Sequence, residues 1–190
     1  NGLGGFEWFE DIPGNVGGAL RMNANAMDNE TFRQVVSVRF VDPNGEFHTR
    51  TPAEMEVAYR HVKTLEKNYA VSATFTGVPR GREEIEDLLE QSSLKRKTSQ
   101  PKESSAGCIF KNPGPIPAGK LVDELGLKGA RVGGCKVSEV HGNFIVNDRK
   151  ATAEDVLALI EQIKDQARRE RGLELETEVQ IVGDSKGIHD

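Results

Sequence analysis

Cys108, Lys111 and Asn112 set a proton-carrying sulfur, a cation and an amide within one short stretch, Ala106-Gly107-Cys108-Ile109-Phe110-Lys111-Asn112-Pro113. The stretch predicts an apolar strand over Cys108–Phe110, entered through Ala106-Gly107 and stopped at Asn112-Pro113. Proline lacks the N–H that a central strand donates, and it drives the preceding residue out of helix. Little Cβ bulk precedes Cys108, so a ligand can approach its backbone and thiol closely. The chemistry on offer is proton donation, because a thiol with an unperturbed pKa of about 8.5 is mostly protonated at neutral pH. The octapeptide alone is read first as a buried thiol on a core strand, the ordinary place of a lone cysteine.

Other stretches carry groups of chemical use. In Ile12-Pro13-Gly14-Asn15-Val16-Gly17-Gly18-Ala19-Leu20-Arg21-Met22-Asn23-Ala24, the glycines permit tight turns and let backbone N–H groups face a ligand at close range. A phosphate or an isoalloxazine edge needs that, although a glycine-rich segment is more often just a loop. Tyr59-Arg60 offers an always-charged planar donor, a type usually left on a solvated surface. Over Leu173 to Val182, Glu174, Glu176 and Glu178 fall on one side of an expected strand, ordinarily a wet face. His141 has no second histidine and no acid at ligand spacing, so no metal site is expected and His141 is read as a structural hydrogen-bonding residue. Cys135 is read as a core thiol.

The elements that must position these groups can be read from pattern. Val35–Val41 is a β-branched strand with Val36, Val38 and Phe40 on one face, and Asp42-Pro43-Asn44-Gly45 turns it into a hairpin partner. Thr51 with Glu54 three residues on reads as a capped helical start. Tyr69–Phe75 alternates, with Tyr69, Val71, Ala73 and Phe75 expected inside. Arg82 to Arg96 is an expected helix with Ile85, Leu88 and Leu89 at helical spacing, followed by a polar loop from Thr98 to Ser105. Ala118–Leu125 is a short helix entered from Pro117 and ended at Gly126. The last long helix opens at Thr152-Ala153-Glu154-Asp155, buries Val156, Leu159, Ile160, Ile163 and Ala167, and stops at Gly172.

Composition sets bounds. The chain has 190 residues, enough for one good core or two small ones. Thirty acidic residues against 25 basic ones give a net charge of −5, which argues against a nucleic-acid partner. Two cysteines make no disulfide framework and favour a reducing, cytoplasmic setting. The sequence has no long apolar run for a membrane span and no signal pattern.

Several separate motifs, running from Gly2 to about Gly183, resemble the UDP-N-acetylenolpyruvoylglucosamine reductase family, also called UDP-N-acetylmuramate dehydrogenase or MurB. AGCIFKNP is similar to that family's AGS-hydrophobic-FKNP stretch, with Cys108 at the position of its proton-donating serine. The Ile12–Ala24 string is similar to its flavin-lining GIPGTVGGALRMNAGA segment; Asp11 stands where that pattern has glycine, Asn15 where it has threonine, and Asn25 where it has glycine. Ala58-Tyr59-Arg60-His61-Val62 resembles its Gly-Tyr-Arg-x-Ser box. Gly126–Ser138 resembles GLKGxRxGGAxVS, and His141–Asn147 resembles HANFIVN with Gly142 for alanine. Leu175–Gly183 resembles the LExEVRxIG ending, with Gln180 in place of an arginine.

The resemblance implies an α+β chain: residues 1–97 as the remnant of a PCMH-type FAD-binding domain and 98–190 as the substrate-binding domain, the final strand returning toward the first. It implies reduction of UDP-N-acetylglucosamine enolpyruvate to UDP-N-acetylmuramate with FAD and NADPH, for peptidoglycan synthesis. By position, Arg60 and Glu178 serve the enolate and Cys108 donates the proton. Pro13, Gly14, Asn15, Gly17, Gly18, Ala19 and Arg21 line the flavin. Tyr59, Lys111 and Asn112 contact the sugar nucleotide. The family's pyrophosphate-holding loop has no counterpart, so the chain is expected to be a C-terminal portion of the enzyme; the alternative is a UDP-sugar-binding fragment without flavin or activity of its own.

Overall fold

The computed structural model describes residues 2–114 and 116–183. Asn1, Pro115 and residues 184–190, the last stretch of the expected second domain, lie outside the described residues. Mixed helices and antiparallel sheets form two compact units, one from Asn1 to Arg96 and one from Lys97 onward. Among the described residues no helix is long and apolar enough to cross a membrane.

The first unit runs β1 (Leu3–Gly4), α1 (Val16–Arg21), β2 (Asn25–Ala26), β3 (Asn29–Glu30), β4 (Val35–Val41), β5 (Phe47–Arg50), β6 (Val57–Ala58), β7 (His61–Val62), β8 (Tyr69–Phe75) and β9 (Val78–Pro79). Its main sheet is antiparallel in the order β5-β4-β8. Under one face lie Leu20, Phe32, Val35, Val38, Phe40, Met55, Val62 and Leu65. The expected hairpin turn is present. Gly45 has φ +86°, and the Asp42 carboxylate accepts from the N–H groups of Asn44 and Glu46 at 2.9 and 3.0 Å. Thr51 and Glu54 form the expected capping box over a single 3₁₀ turn, Pro52–Glu54.

The faces of these strands differ from the simple alternation, and two bulges are the reason. Val35 pairs with Phe75 and Ser37 with Thr74, so Val36 is an extra residue on β4 and turns outward, 47% exposed. Arg39 pairs with Ser72 and Phe40 with Ala70, so Val71 is the extra residue on β8. Beyond that bulge the phase reverses, which leaves Tyr69 and Val71 exposed while Ala70, Ala73 and Phe75 pack on the core.

Helix α2 (Arg82–Ser99) continues through residues expected as loop and spans the division between the units. Pro101 follows, a residue that cannot extend a helix. Ile85, Leu88 and Leu89 are only half-buried. Arg96 reaches to the carbonyls of Glu10 and Trp8.

The second unit holds β10 (Ser105–Cys108), α3 (Ala118–Glu124), β11 (Arg131–Val132), β12 (Cys135–Val137), β13 (Phe144–Asn147) and α4 (Ala153–Arg171). The antiparallel sheet order is β10-β13-β12-β11. Helix α4 has the expected ends: a Thr152–Asp155 capping box, and Gly172 at φ +61°. Leu159, Ile160, Ile163 and Ala167 are buried and Val156 packs partly against them. Each fully buried Leu or Ile contributes about 1.5–3 kcal/mol relative to exposure.

Two expected strands are placed differently. The strand read over Cys108–Phe110 has its ladder at Ser105–Cys108, with Ile109 and Phe110 just beyond it. Ser105 pairs with Val146 and Cys108 with Phe144, so β10 carries one extra residue, and Gly107 at φ +81° takes up that bulge. The strand read over Leu173–Val182 is reduced to one antiparallel bridge, Phe110 to Thr177. Leu175 is buried as expected, but Ile181 is 58% exposed, so the alternating face ends where its partner ends.

Candidate functional site

In the first unit the glycine-rich segment is an open turn leading into the six-residue α1. The Asn15 side chain caps α1 by accepting from Gly18 N–H at 2.9 Å. Threonine, the residue of the family pattern, caps in the same way. Gly14 has φ +125°, a conformation for glycine only, and a Cβ there would meet nothing within 4 Å. Pro13, Gly14, Asn15, Gly17 and Gly18 are exposed and Ala19 is half-buried. Asp11 adopts φ +58°, consistent with glycine at that place in the pattern. Asn25 does not have a positive φ: it lies in β2, so glycine's freedom is not needed there.

Arg21 turns away from the open turn. Its guanidinium donates to the carbonyls of Leu65 and Glu66 and ties α1 to the 3₁₀ turn Lys63–Leu65.

Tyr59 and Arg60 form the two-residue tip of the β6–β7 hairpin, with Arg60 at φ +55°. The Arg60 guanidinium lies 5.4 Å from the Tyr59 ring centre and donates to Asn25 O at 3.3 Å. Asn23, which the sequence reading passed over, links this tip to the glycine-rich segment. It is 1% exposed, accepts from Phe32 N–H at 3.1 Å, and donates to Glu30 at 3.1 Å and Ala58 O at 3.2 Å. A fully satisfied buried amide fixes its neighbours in this way. Its place in the Arg21-Met22-Asn23-Ala24 motif was the available signal.

In the second unit, Cys108, Lys111, Asn112 and Glu178 come together around one backbone segment. Cys108 is half-buried at the end of β10. The space over Gly107 is open, since a Cβ there would meet nothing within 4 Å. Ile109 O accepts from Glu178 N–H at 2.7 Å, and Lys111 N–H donates to Glu176 O at 2.9 Å. The Lys111 ammonium pairs with the Glu176 carboxylate. Asn112 Oδ1 accepts from Ala118 N–H at 3.0 Å, so this side chain caps the first turn of α3, where Pro117 has no capping side chain. The expected catalytic set is divided between the units: Arg60 belongs to the first, Cys108 and Glu178 to the second.

Two nearby groups are structural. Cys135 is fully buried, its thiol contacts Val132 O at 3.3 Å, and burial pushes its pKa up. His141 accepts from Asn143 N–H at Nδ1, 3.1 Å, which leaves the ring proton on Nε2. Burial, and then the charge of Lys128, hold His141 below the usual imidazole range. Among the described residues, one group of three ligand-type side chains gathers, Asp42, Glu46 and His48. Asp42 there holds the hairpin turn and contacts His48 Nε2 at 3.1 Å.

Residues 100–182 match the family model for the UDP-N-acetylenolpyruvoylglucosamine reductase C-terminal domain. The UDP-N-acetylenolpyruvoylglucosamine reductase of Legionella pneumophila (strain Corby) is 41% identical over 187 residues, covering 97% of this chain and 61% of that protein. That of Methylorubrum extorquens is 42% identical over 182 residues, covering 95% and 59%. The crystal structure of UDP-N-acetylenolpyruvylglucosamine reductase (MurB) from Thermus caldophilus superposes with a TM-score of 0.81 at 40% identity, covering 92% of this chain and 63% of that one. The chain thus spans about three fifths of the length of the curated relatives it matches.

Proposed function

We propose that the chain belongs to the UDP-N-acetylenolpyruvoylglucosamine reductase family, whose C-terminal domain model matches residues 100–182, and that it carries the substrate-side chemistry of such a reductase: reduction of UDP-N-acetylglucosamine enolpyruvate to UDP-N-acetylmuramate for peptidoglycan. In this reading the first unit is part of a PCMH-type FAD-binding domain and the second is the substrate-binding domain. The exposed Pro13–Gly18 turn, free of side chains over Gly14, is compatible with a flat or phosphorylated group lying against backbone N–H donors. FAD, recharged by NADPH, supplies a hydride to C3 of the enolpyruvyl group when bound. Pro13, Gly14, Asn15, Gly17, Gly18 and Ala19 would hold it, while Arg21 would stiffen the segment from behind.

The remaining work falls to side chains of this chain. Hydride arrival at C3 leaves an electron pair at C2, delocalised into the carboxylate as an enolate. Arg60, planar and always charged, holds that carboxylate. Cys108 gives its Sγ proton to C2, completing the saturated lactyl group, and the thiolate regains a proton from solvent. Glu178 orients or polarises the reacting end. Lys111, Asn112 and Tyr59 contact the sugar nucleotide.

One observation carries the reading: a half-buried protic side chain, Cys108, stands at a sheet edge beside open space over Gly107, with the Glu178 backbone hung on the adjoining Ile109. The match of residues 100–182 to the C-terminal domain of the family favours a second reading, a UDP-sugar-binding unit without flavin. An absorbance spectrum after loading the purified chain with FAD and removing the excess tests both. A retained, perturbed flavin band supports the reductase reading. No band, with UDP-N-acetylglucosamine enolpyruvate still bound, selects the second. Failure to bind either overturns both.

A further inference from the structure

We propose that Asn143 is a positioning residue, whose carboxamide holds the Ile109–Phe110 backbone so that Cys108 and Glu178 keep their mutual placement. What those two side chains do rests on the reductase reading above; how they are held rests on geometry alone.

The β10–β13 ladder reaches its last pair at Cys108 and Phe144. Beyond that point the chain at Asn143 turns away toward His141, and the Asn143 side chain takes over the pairing. Its Oδ1 accepts from Phe110 N–H at 2.9 Å and its Nδ2 donates to Phe110 O at 2.8 Å. The Asn143 carbonyl accepts from Ile109 N–H at 2.9 Å. A carboxamide offers the donor and acceptor of a peptide unit, and here it substitutes for one. Its orientation is fixed, because the Phe110 N–H requires the oxygen and the Phe110 carbonyl requires the NH₂. The base of the side chain is pinned as well, since Asn143 N–H donates to His141 Nδ1.

On the far side of the same two residues hangs the C-terminal segment. Ile109 O accepts from Glu178 N–H at 2.7 Å, and Lys111 N–H donates to Glu176 O at 2.9 Å. All four polar backbone groups of Ile109 and Phe110 are thereby paired, two of them by the Asn143 side chain. Asn143 is 4% exposed and Phe110 1%, so water does not replace a lost partner. Removing the carboxamide strips two bonds from the segment that joins Cys108 to Glu178, and both ends shift with it.

Hydrogen exchange on the chain as it stands tests this, comparing Asn143→Asp and Asn143→Ala with the unsubstituted protein. At neutral pH the amides of Phe110, Lys111 and Glu178 exchange about tenfold faster or more in both variants, while those of Ile160 and Ile163 in α4 keep their rates. The carboxylate introduced by Asn143→Asp cannot donate to Phe110 O while it is ionised, but it can once protonated. Acidification therefore restores protection at Glu178 in Asn143→Asp and not in Asn143→Ala. Acceleration confined to Phe110 overturns the proposal, because the segment then holds Glu178 without Asn143. Acceleration spread equally into α4, or no acid rescue, overturns it too, since Asn143 then serves overall stability only. Exchange reads the backbone and not the reaction, so this outcome stands apart from whether Cys108 donates a proton.

Discussion

The Asp155 carboxylate occupies the space that a side chain at Gly133 would need: a Cβ there would overlap Asp155 Oδ1. Asp155 is not free to swing away. Its Oδ2 accepts from Gly134 N–H at 3.1 Å and from Thr152 N–H at 3.0 Å, joining the β11–β12 turn to the start of α4. Those backbone donors, Thr152 first, hold its pKa below the usual carboxylate range. Gly133 also has φ +49°. Packing and conformation alone therefore require glycine here.

Gly133→Ala should then cost about 2–4 kcal/mol of stability, combining left-handed strain with overpacking. Urea denaturation measures it. A loss under about 0.5 kcal/mol would mean that Asp155 moves aside at no cost and does not clamp the turn.

Asp148 gives an acid-side signature. Arg131 grips it with both nitrogens, at 2.8 and 2.7 Å, and that contact takes the carboxyl from 3.8 down to about 2. On acidification the unfolded chain takes up the proton first. The pair's contribution is thus complete above about pH 4 and is lost as pH falls through about 2. A carboxyl-carbon NMR titration should place the midpoint near 2 in the unsubstituted chain and closer to 3.8 in Arg131→Ala. An unmoved midpoint would remove Arg131 as the cause and leave Lys136, 3.8 Å away, and the charge of Arg149.

Arg21, expected from the family motif among the flavin-lining residues, has its guanidinium on the carbonyls of Leu65 and Glu66. Arg21→Ala should lower stability by about 1.5–3 kcal/mol without any FAD present, the range for hydrogen bonds that involve a charged group. Thermal unfolding of the flavin-free chain decides the point: an unchanged transition would show that these contacts do not hold α1.

How much of this was legible follows the range of the contacts involved. The limits of β4 and the ends of α4 could be read because their causes are local: β-branched residues in one case, Thr152 with Asp155 and then Gly172 in the other. The phase of β4 and β8 could not, because the bulges at Val36 and Val71 exist only in the pairing of the two strands. The last segment alternates as a strand should, yet finds only Phe110 to bridge among the described residues. At the candidate site, the nearness of Cys108, Lys111 and Asn112 along the chain could be read directly. The capping role of Asn112 was hidden, because its partner Ala118 lies across a proline-rich turn. Asn143 was hidden for the same reason at longer range, its partner Phe110 being 33 residues away.

The sharpest test of the proposed chemistry separates its two half-reactions in FAD-loaded protein that includes this chain. In the proposed reaction, proton delivery to C2 is needed only when substrate takes the hydride, and not when NADPH recharges the flavin. Cys108→Ala should leave flavin reduction by NADPH at its original rate and slow flavin reoxidation by substrate by about 10²–10⁴-fold, the usual worth of a positioned acid. Cys108→Ser keeps a protic group and should recover most of that loss. Stopped-flow absorbance of the flavin reads both steps. Equal losses in the two half-reactions would place Cys108 in the structure of the site rather than in proton transfer. An intact reoxidation rate in Cys108→Ala would assign the proton to another group.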